Sequence, residues 1–252
     1  MSVQKLRKGE RIVGTMIRMS RNPAIPQLAK AAGLDYSMYD LEHGALSLEE
    51  FSDAAKVARS INLGIYIRVP ELSKAFVSRA MDLGADGVMV PMISNREEAE
   101  KLVAWSRYSP LGRRGLTTLG EHTNFEKNLL PVQEYMEEQN QKTLCIAQIE
   151  TKEAIDNIDA IASVPGLDVL LIGPNDLAAS LQVPGQLMSD KVQEAISKVV
   201  EAAIHHNKFF AMHADDNLLN LWLDKGLVMI MNSLDIHIMA AGFKEIAVKF
   251  NK

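Results

Sequence analysis

Short runs rich in β-branched and other apolar residues alternate with amphipathic stretches along this chain, and that alternation constrains the fold more than any other feature. Ile12–Arg18 precedes Pro23–Ala32, Tyr36–Glu42 precedes Leu48–Ser60, Ile65–Val69 precedes Ser73–Leu83, and Gly87–Ile93 precedes Arg96–Ser106. After an irregular stretch, Tyr108–Pro131, come Leu144–Glu150 with Lys152–Ala162, then Val169–Gly173 with a short turn and Asp190–His206. Phe209–His213 with Asn217–Lys225 and Leu227–Asn232 with Ile236–Phe250 complete the series. About eight strand–helix units is the number at which a parallel sheet closes on itself. The length of 252 residues also suits a barrel of this kind, typically about 250 residues.

The strand candidates read as nearly continuous apolar runs, as strands covered by helices on one side and a core on the other should. Gly33, Gly64, Gly84 and Gly226 each follow a helical run, where glycine ends a helix in the left-handed conformation at little cost. Ser47–Glu50 and Ser94–Glu98 read as helix starts, with a capping oxygen and an acidic first turn. A doubly wound open sheet is the rival architecture. It usually carries a glycine-rich phosphate turn after its first strand, and neither G-x-G-x-x-G nor G-x-x-x-x-G-K-[ST] occurs. The expectation is therefore an α/β chain folded as one (β/α)8 barrel spanning residues 1–252. The long Tyr108–Pro131 stretch is expected to be a lid or specificity segment.

Charge and composition narrow the function. A net charge of −5 without a long Lys/Arg run disfavours nucleic acid as a partner. The longest apolar runs fall far below the ~18 residues needed to span a bilayer, so no membrane association is expected. A single cysteine, Cys145, and a start without a charged-then-apolar leader pattern point to a reducing cytoplasm. Cys145 itself is expected to be a small buried hydrophobe.

In a parallel barrel the polar residues at strand C-terminal ends converge on one mouth. Glu150 and Asp176 end neighbouring strands. Two close carboxylates repel unless a cation lies between them, and an oxygen donor set suits Mg²⁺ or Mn²⁺. The plainer alternative has Asp176 capping its turn and Glu150 opening a helix. His43, beside Asp40 and Glu42, reads either as a base held in one tautomer or as a half-buried histidine satisfied locally. Arg68 interrupts an apolar strand and needs an anionic partner, either a ligand or Asp40 or Glu42. Gln148 lies two residues before Glu150 and shares its face, where it orients a ligand or satisfies a polar layer. His213 ends a strand without local support for a role. His205, His206 and His237 read as surface residues.

The motifs Tyr39–Asp40–Leu41–Glu42–His43–Gly44, Ile67–Arg68–Val69–Pro70, Val90–Pro91–Met92, Gln148 to Ala154, and Val164 to Leu177 resemble those of the HpcH/HpaI aldolase family over essentially the whole chain. The resemblance implies a metal-dependent (class II) pyruvate aldolase acting on a 4-hydroxy-2-oxo acid, with a 2-oxo acid and an aldehyde as its small-molecule partners. It implies Glu150 and Asp176 as metal ligands for Mg²⁺ or Mn²⁺, with Co²⁺ as a further candidate. By the same resemblance His43 is the catalytic base with Asp40 as its partner, and Arg68 holds pyruvate and stabilises developing charge. Gln148, Gly173, Pro174 and Asn175 line the substrate pocket. A homo-oligomer, dimer to hexamer, with an exchanged C-terminal helix is implied as well. Asn175 stands where such aldolases often carry Ala, and the loop Gly112–Thr123 lacks their Arg–Ala–Ser. An oxaloacetate-type decarboxylase on the same site and a non-catalytic acid-binding barrel are the alternatives.

Overall fold

The alternation does close into a barrel. In the computed structural model, which describes residues 2–250, helix α1 (Ser2–Arg7) precedes β1 (Ile12–Ile17) and α2 (Ile25–Ala31). There follow β2 (Tyr36–Asp40), α3 (Leu48–Ser60), β3 (Gly64–Arg68), α4 (Lys74–Asp82), β4 (Gly87–Val90) and α5 (Arg96–Ser106). The second half runs α6 (Val132–Lys142), β5 (Leu144–Ile149), α7 (Lys152–Asp156), α8 (Ile158–Ala162), β6 (Val169–Ile172), α9 (Pro174–Ser180) and α10 (Asp190–His205). It ends with β7 (Phe209–Ala214), α11 (Asp216–Trp222), β8 (Leu227–Leu234) and α12 (Asp235–Phe250). Each strand pairs in parallel with its sequence neighbours and β8 pairs with β1, giving a closed eight-stranded barrel. No described helix is long and apolar enough to cross a membrane.

Two cores hold it. The larger lies between sheet and helices, where Phe51, Val77, Leu102, Ile161, Ile196 and Leu218 pack on outward-facing strand residues such as Ile65, Val88 and Leu170. The smaller fills the barrel itself and is rich in thioethers, with Met16, Met38, Met89, Met229 and Met231 among Tyr36, Tyr66, Ile146 and Leu171. Helix α1 closes the end away from the strand C-termini, inserting Val3 and Leu6, with Ser2 Oγ 2.7 Å from the Tyr66 hydroxyl. The expected helix starts form: Ser47 and Glu50 make a reciprocal capping box on α3, and Asn95 accepts from the Glu98 amide on α5.

A short device recurs before alternate strands. Gly33–Leu34–Asp35, Gly84–Ala85–Asp86 and Gly166–Leu167–Asp168 precede β2, β4 and β6, and all three glycines have φ near +90°. The carboxylates of Asp35, Asp86 and Asp168 accept from the amides of Val13, Ile65 and Cys145, which stand at or near the starts of β1, β3 and β5. Each thus satisfies a donor that the pleated ladder leaves open at the barrel's rim. Gly226 is also left-handed, but Gly64 is not; Asn62 takes the positive φ there. Gly64 is glycine for space, because a Cβ would overlap the Ser2 side chain.

Other differences from expectation are local. Lys152–Ala162 breaks at Asn157 into α7 and α8, and the turn before Asp190 contains α9. Residues 107–131 do not cover the mouth of their own barrel. Arg114 binds Asp82 at the end of α4, and Arg59 at the end of α3 binds the His122 carbonyl and Asn124 Oδ1. Those helix ends lie at the opposite face. Helix α12 leaves the barrel after Asp235 and exposes Ile238, Phe243, Ile246, Val248 and Phe250. On β1, Val13 is exposed at 38%, an uncovered residue in an otherwise buried strand.

Candidate active site

The strand C-termini open onto a cavity of about 950 Å³. His43, Arg68, Gln148, Gly173, Pro174, Asn175 and Asp176 all line it, as do Arg18, His213 and His237. Asp40 and Glu150, 0% and 2% exposed, sit immediately behind that lining. The barrel's parallel register is what assembles them. Asp40 and Arg68 are direct cross-strand partners at the ends of β2 and β3, so their side chains meet without distortion.

Arg68 forks onto Asp40, with Nε 2.8 Å from Oδ1 and Nη2 2.7 Å from Oδ2. Its Nη1 lies 2.8 Å from Glu42 Oε2 and 3.5 Å from Gln148 Oε1. Arg18, at the end of β1, donates from Nε to Asp40 Oδ2 at 2.8 Å. Burial opposes ionisation of Asp40, but the bonds and charge of Arg68, joined by Arg18, hold its carboxyl below the usual carboxylate range. The Arg68 guanidinium is held charged despite burial by Asp40, Glu42 and Glu150. Two buried guanidinium–carboxylate contacts of this kind persist only because every charge is met.

The other half of the site is acidic. Glu150 does not open α7, whose cap is Thr151 accepting from the Ala154 amide. Instead its Oε1 accepts from the Met92 amide at 2.9 Å and its Oε2 from Gln148 Nε2 at 2.5 Å. Burial, with the charges of Asp176 and Glu42, pushes the Glu150 carboxyl up to about 7, although the Met92 amide and Arg68 oppose this. Glu42 is raised too, by burial first and then by Asp40 and Asp176 against Arg68 and His43. Asp176 stands in the first turn of α9, where Gly173 occupies the capping position and lends no side chain. Among the described residues the Asp176 carboxylate accepts no hydrogen bond, so it does not cap its own turn.

Gly173 is required by this arrangement. A Cβ there would overlap Glu150 Oε2 and come within 2.7 Å of Gln148 Nε2. The charge of Asp176 thus raises the cost of ionising both Glu42 and Glu150 around a single opening. That is the electrostatic condition a hard divalent cation relieves, and the all-oxygen donor set fits Mg²⁺ or Mn²⁺.

Residues 16–241 match the HpcH/HpaI aldolase/citrate lyase family. The chain belongs to that family. Over 251 residues it is 30% identical to the hydroxypyruvate/pyruvate aldolase of Roseobacter denitrificans, covering 99% of this chain and 96% of the relative. It is 33% identical over 242 residues to the 4-hydroxy-2-oxovalerate aldolase of Novosphingobium aromaticivorans, covering 94% and 89% of the two chains. The crystal structure of an HpcH/HpaI aldolase from Desulfitobacterium hafniense superimposes with a TM-score of 0.89 at 32% identity, covering 97% of this chain and 95% of that one. As a member of the HpcH/HpaI family the chain is a carbon–carbon lyase.

Within this HpcH/HpaI barrel one expected pairing is absent. Asp40 was expected to hold the His43 ring. Both its oxygens are instead taken by the two arginines, and it meets His43 only through the backbone amide at 3.3 Å. The His43 ring is 52% exposed, with Nε2 3.9 Å from Glu42 Oε2. A buried carboxylate already shared by two guanidinium groups has little to offer an imidazole at the solvent edge. Sequence reasoning passed over Arg18, although it ends an apolar strand as Arg68 does. It also gave His213 no role. That ring is largely buried, binds the Ser233 carbonyl at 3.0 Å, and is pushed down to about 4 by burial and by the charges of Arg68 and Arg18, against the Ser233 bond.

Proposed function

We propose that this chain is a class II pyruvate aldolase, splitting a 4-hydroxy-2-oxo acid into pyruvate or a related 2-oxo acid and an aldehyde. The observation that carries this reading is Glu150, a buried carboxyl lifted to about 7 whose Oε2 packs directly against Gly173, at the edge of the cavity that Asp176 lines. Glu150 and Asp176 are the residues that would hold the cation, Mg²⁺ or Mn²⁺ by donor type, with Co²⁺ also compatible. When bound, such an ion supplies Lewis-acid stabilisation of the negative charge that develops on the 2-oxo acid. Arg68 adds a fixed positive charge beside the same oxygens, positioned in advance by Asp40. Gln148 presents an amide to the cavity and keeps Glu150 oriented. Pro174 and Asn175 bound the pocket where α9 begins. His43, at the solvent edge, takes the C4 hydroxyl proton as the C3–C4 bond breaks, directly or through water.

Two further elements of the reading concern assembly and setting. The uncovered apolar side of α12 and the exposed Val13 support a homo-oligomer, dimer to hexamer, in which α12 packs on a neighbouring copy. The lone buried thiol of Cys145, raised to about 12 chiefly by burial, suits a reducing cytoplasm. The deciding experiment follows the methyl protons of pyruvate in D2O. Exchange is expected with Mg²⁺, Mn²⁺ or Co²⁺ and not with chelator; equal exchange in both conditions overturns the reading. Release of CO2 from oxaloacetate without aldol cleavage of any 4-hydroxy-2-oxo acid would replace it with the decarboxylase.

A further inference from the structure

Three ligand-type side chains meet on the outer helical layer, away from the mouth. Asp159 belongs to α8; His205 ends α10 and His206 caps it. One carboxylate oxygen and one ring nitrogen from each imidazole lie within 4.8 Å of one another. His206 Nε2 is 2.7 Å from Asp159 Oδ1, and the two imidazoles meet edge to face with centroids 4.6 Å apart. The end of α10 leads into the start of β7, so the cluster lies toward the face opposite the strand C-termini.

We propose that Asp159, His205 and His206 form a second cation site, selective for zinc or another late first-row divalent ion, with water completing its coordination. A surface ion pair would account for His206 and Asp159 but not for the third ligand beside them. Two imidazoles and one carboxylate are the donors that borderline ions favour, whereas Mg²⁺ prefers oxygen throughout. The ligands of a tetrahedral zinc, each roughly 2.0–2.1 Å from the ion, stand about 3.3 Å apart, so the hydrogen-bonded His206–Asp159 pair must open slightly and the gap to His205 must narrow. Small rotations close the gap, because the Asp159 side chain is 79% exposed and free to turn. The last carbonyls of α10 add a partial negative charge at the same point, and helix C-termini favour cations. An ion there ties α8 to α10, joining the broken crossover between β5 and β6 to the long helix of the crossover between β6 and β7.

The two sites differ in donor type, which makes them separable. Protein stripped by chelator is titrated with zinc alone, as wild type and as Glu150→Ala/Asp176→Ala. The doubly substituted protein is expected to keep a zinc equivalent, and adding His205→Ala and His206→Ala is expected to abolish it. Cobalt in place of zinc should give the strong visible absorption of a four-coordinate ion in the first protein and not in the second. Asp159→Asn, which leaves both histidines, should weaken zinc uptake and serves as the control if the histidine variant folds poorly. Zinc uptake that survives both the histidine and the Asp159 substitutions overturns the proposal. So does uptake that vanishes entirely with Glu150→Ala/Asp176→Ala alone. Magnesium-supported turnover is expected to be unchanged in the histidine variants, so this test stands apart from that of the aldolase reading.

Discussion

At the scale of single residues, the site depends on charges that are met and on one missing methyl. Removing Arg68 leaves Asp40 with Arg18 alone and Glu42 with only the His43 ring, 3.9 Å away. Arg68→Met is therefore expected to lower stability by about 3–5 kcal/mol, the usual cost of stranding a buried charge, as measured by urea unfolding. Gly173→Ala adds only a methyl, but that methyl lands on Glu150 Oε2. Displacing a catalytic group by an ångström costs on the order of 100-fold in rate. Metal-dependent turnover should fall by about that factor in Gly173→Ala while the circular dichroism spectrum is unchanged; full activity would mean that Glu150 does not reach the mouth along this path. The strand-end positions of Arg68, Gln148 and Glu150 were legible because the barrel rule fixes where such residues go, whereas Asp176 reaches the same mouth from the first turn of α9. The partners were not. Whether Asp40 meets His43 or two arginines depends on cross-strand register and on Arg18 arriving from β1, and neither is written in local spacing.

At the scale of elements, the apolar runs and capping signals specified eight strands and most helices, because a strand buried on both faces has few other ways to read. Helix α9 was hidden behind Pro174–Asn175–Asp176, a turn signature that is also a good first helical turn. Helix α1 offers too few residues for a periodicity argument, and its reason for forming, the plugging of the barrel floor by Val3 and Leu6, is tertiary. The glycine–x–aspartate device went unread because its hydrogen bonds cross to another strand. It has a measurable signature. Burial raises Asp86 to about 6, while the Ile65 amide and Arg59 resist the shift. The folded state therefore holds a proton that the unfolded chain has already released between the ordinary aspartate value of 3.8 and about 6. Stability from this group is full below that window, falls as pH rises through it, and stays reduced above. Asp86→Asn keeps an acceptor for Ile65 without the ionisation. Urea midpoints should fall less steeply with pH across that window in the variant; identical slopes would show that Asp86 does not titrate there.

For the whole molecule, the largest run of uncovered apolar side chains among the described residues belongs to α12. A helix carrying Phe243 and Ile246 at 65% and 60% exposure, on a barrel with Val13 bare, suits the proposed packing of α12 on a neighbouring copy. Phe243→Asp with Ile246→Asp is expected to shift the light-scattering mass to a single chain, with the barrel's circular dichroism retained; an unchanged mass would overturn the role of α12 in assembly. The lumen has a different character. Met16, Met89 and Met231, with Leu171 and Leu234, are the part of it that lines the cavity. Unbranched thioethers change rotamer at small cost where valine or isoleucine would stand firm. The cavity thus rests on a cushion rather than an anvil: ionic contacts pin the charged rim, and the thioethers below it can yield to the shape of whatever the cavity holds.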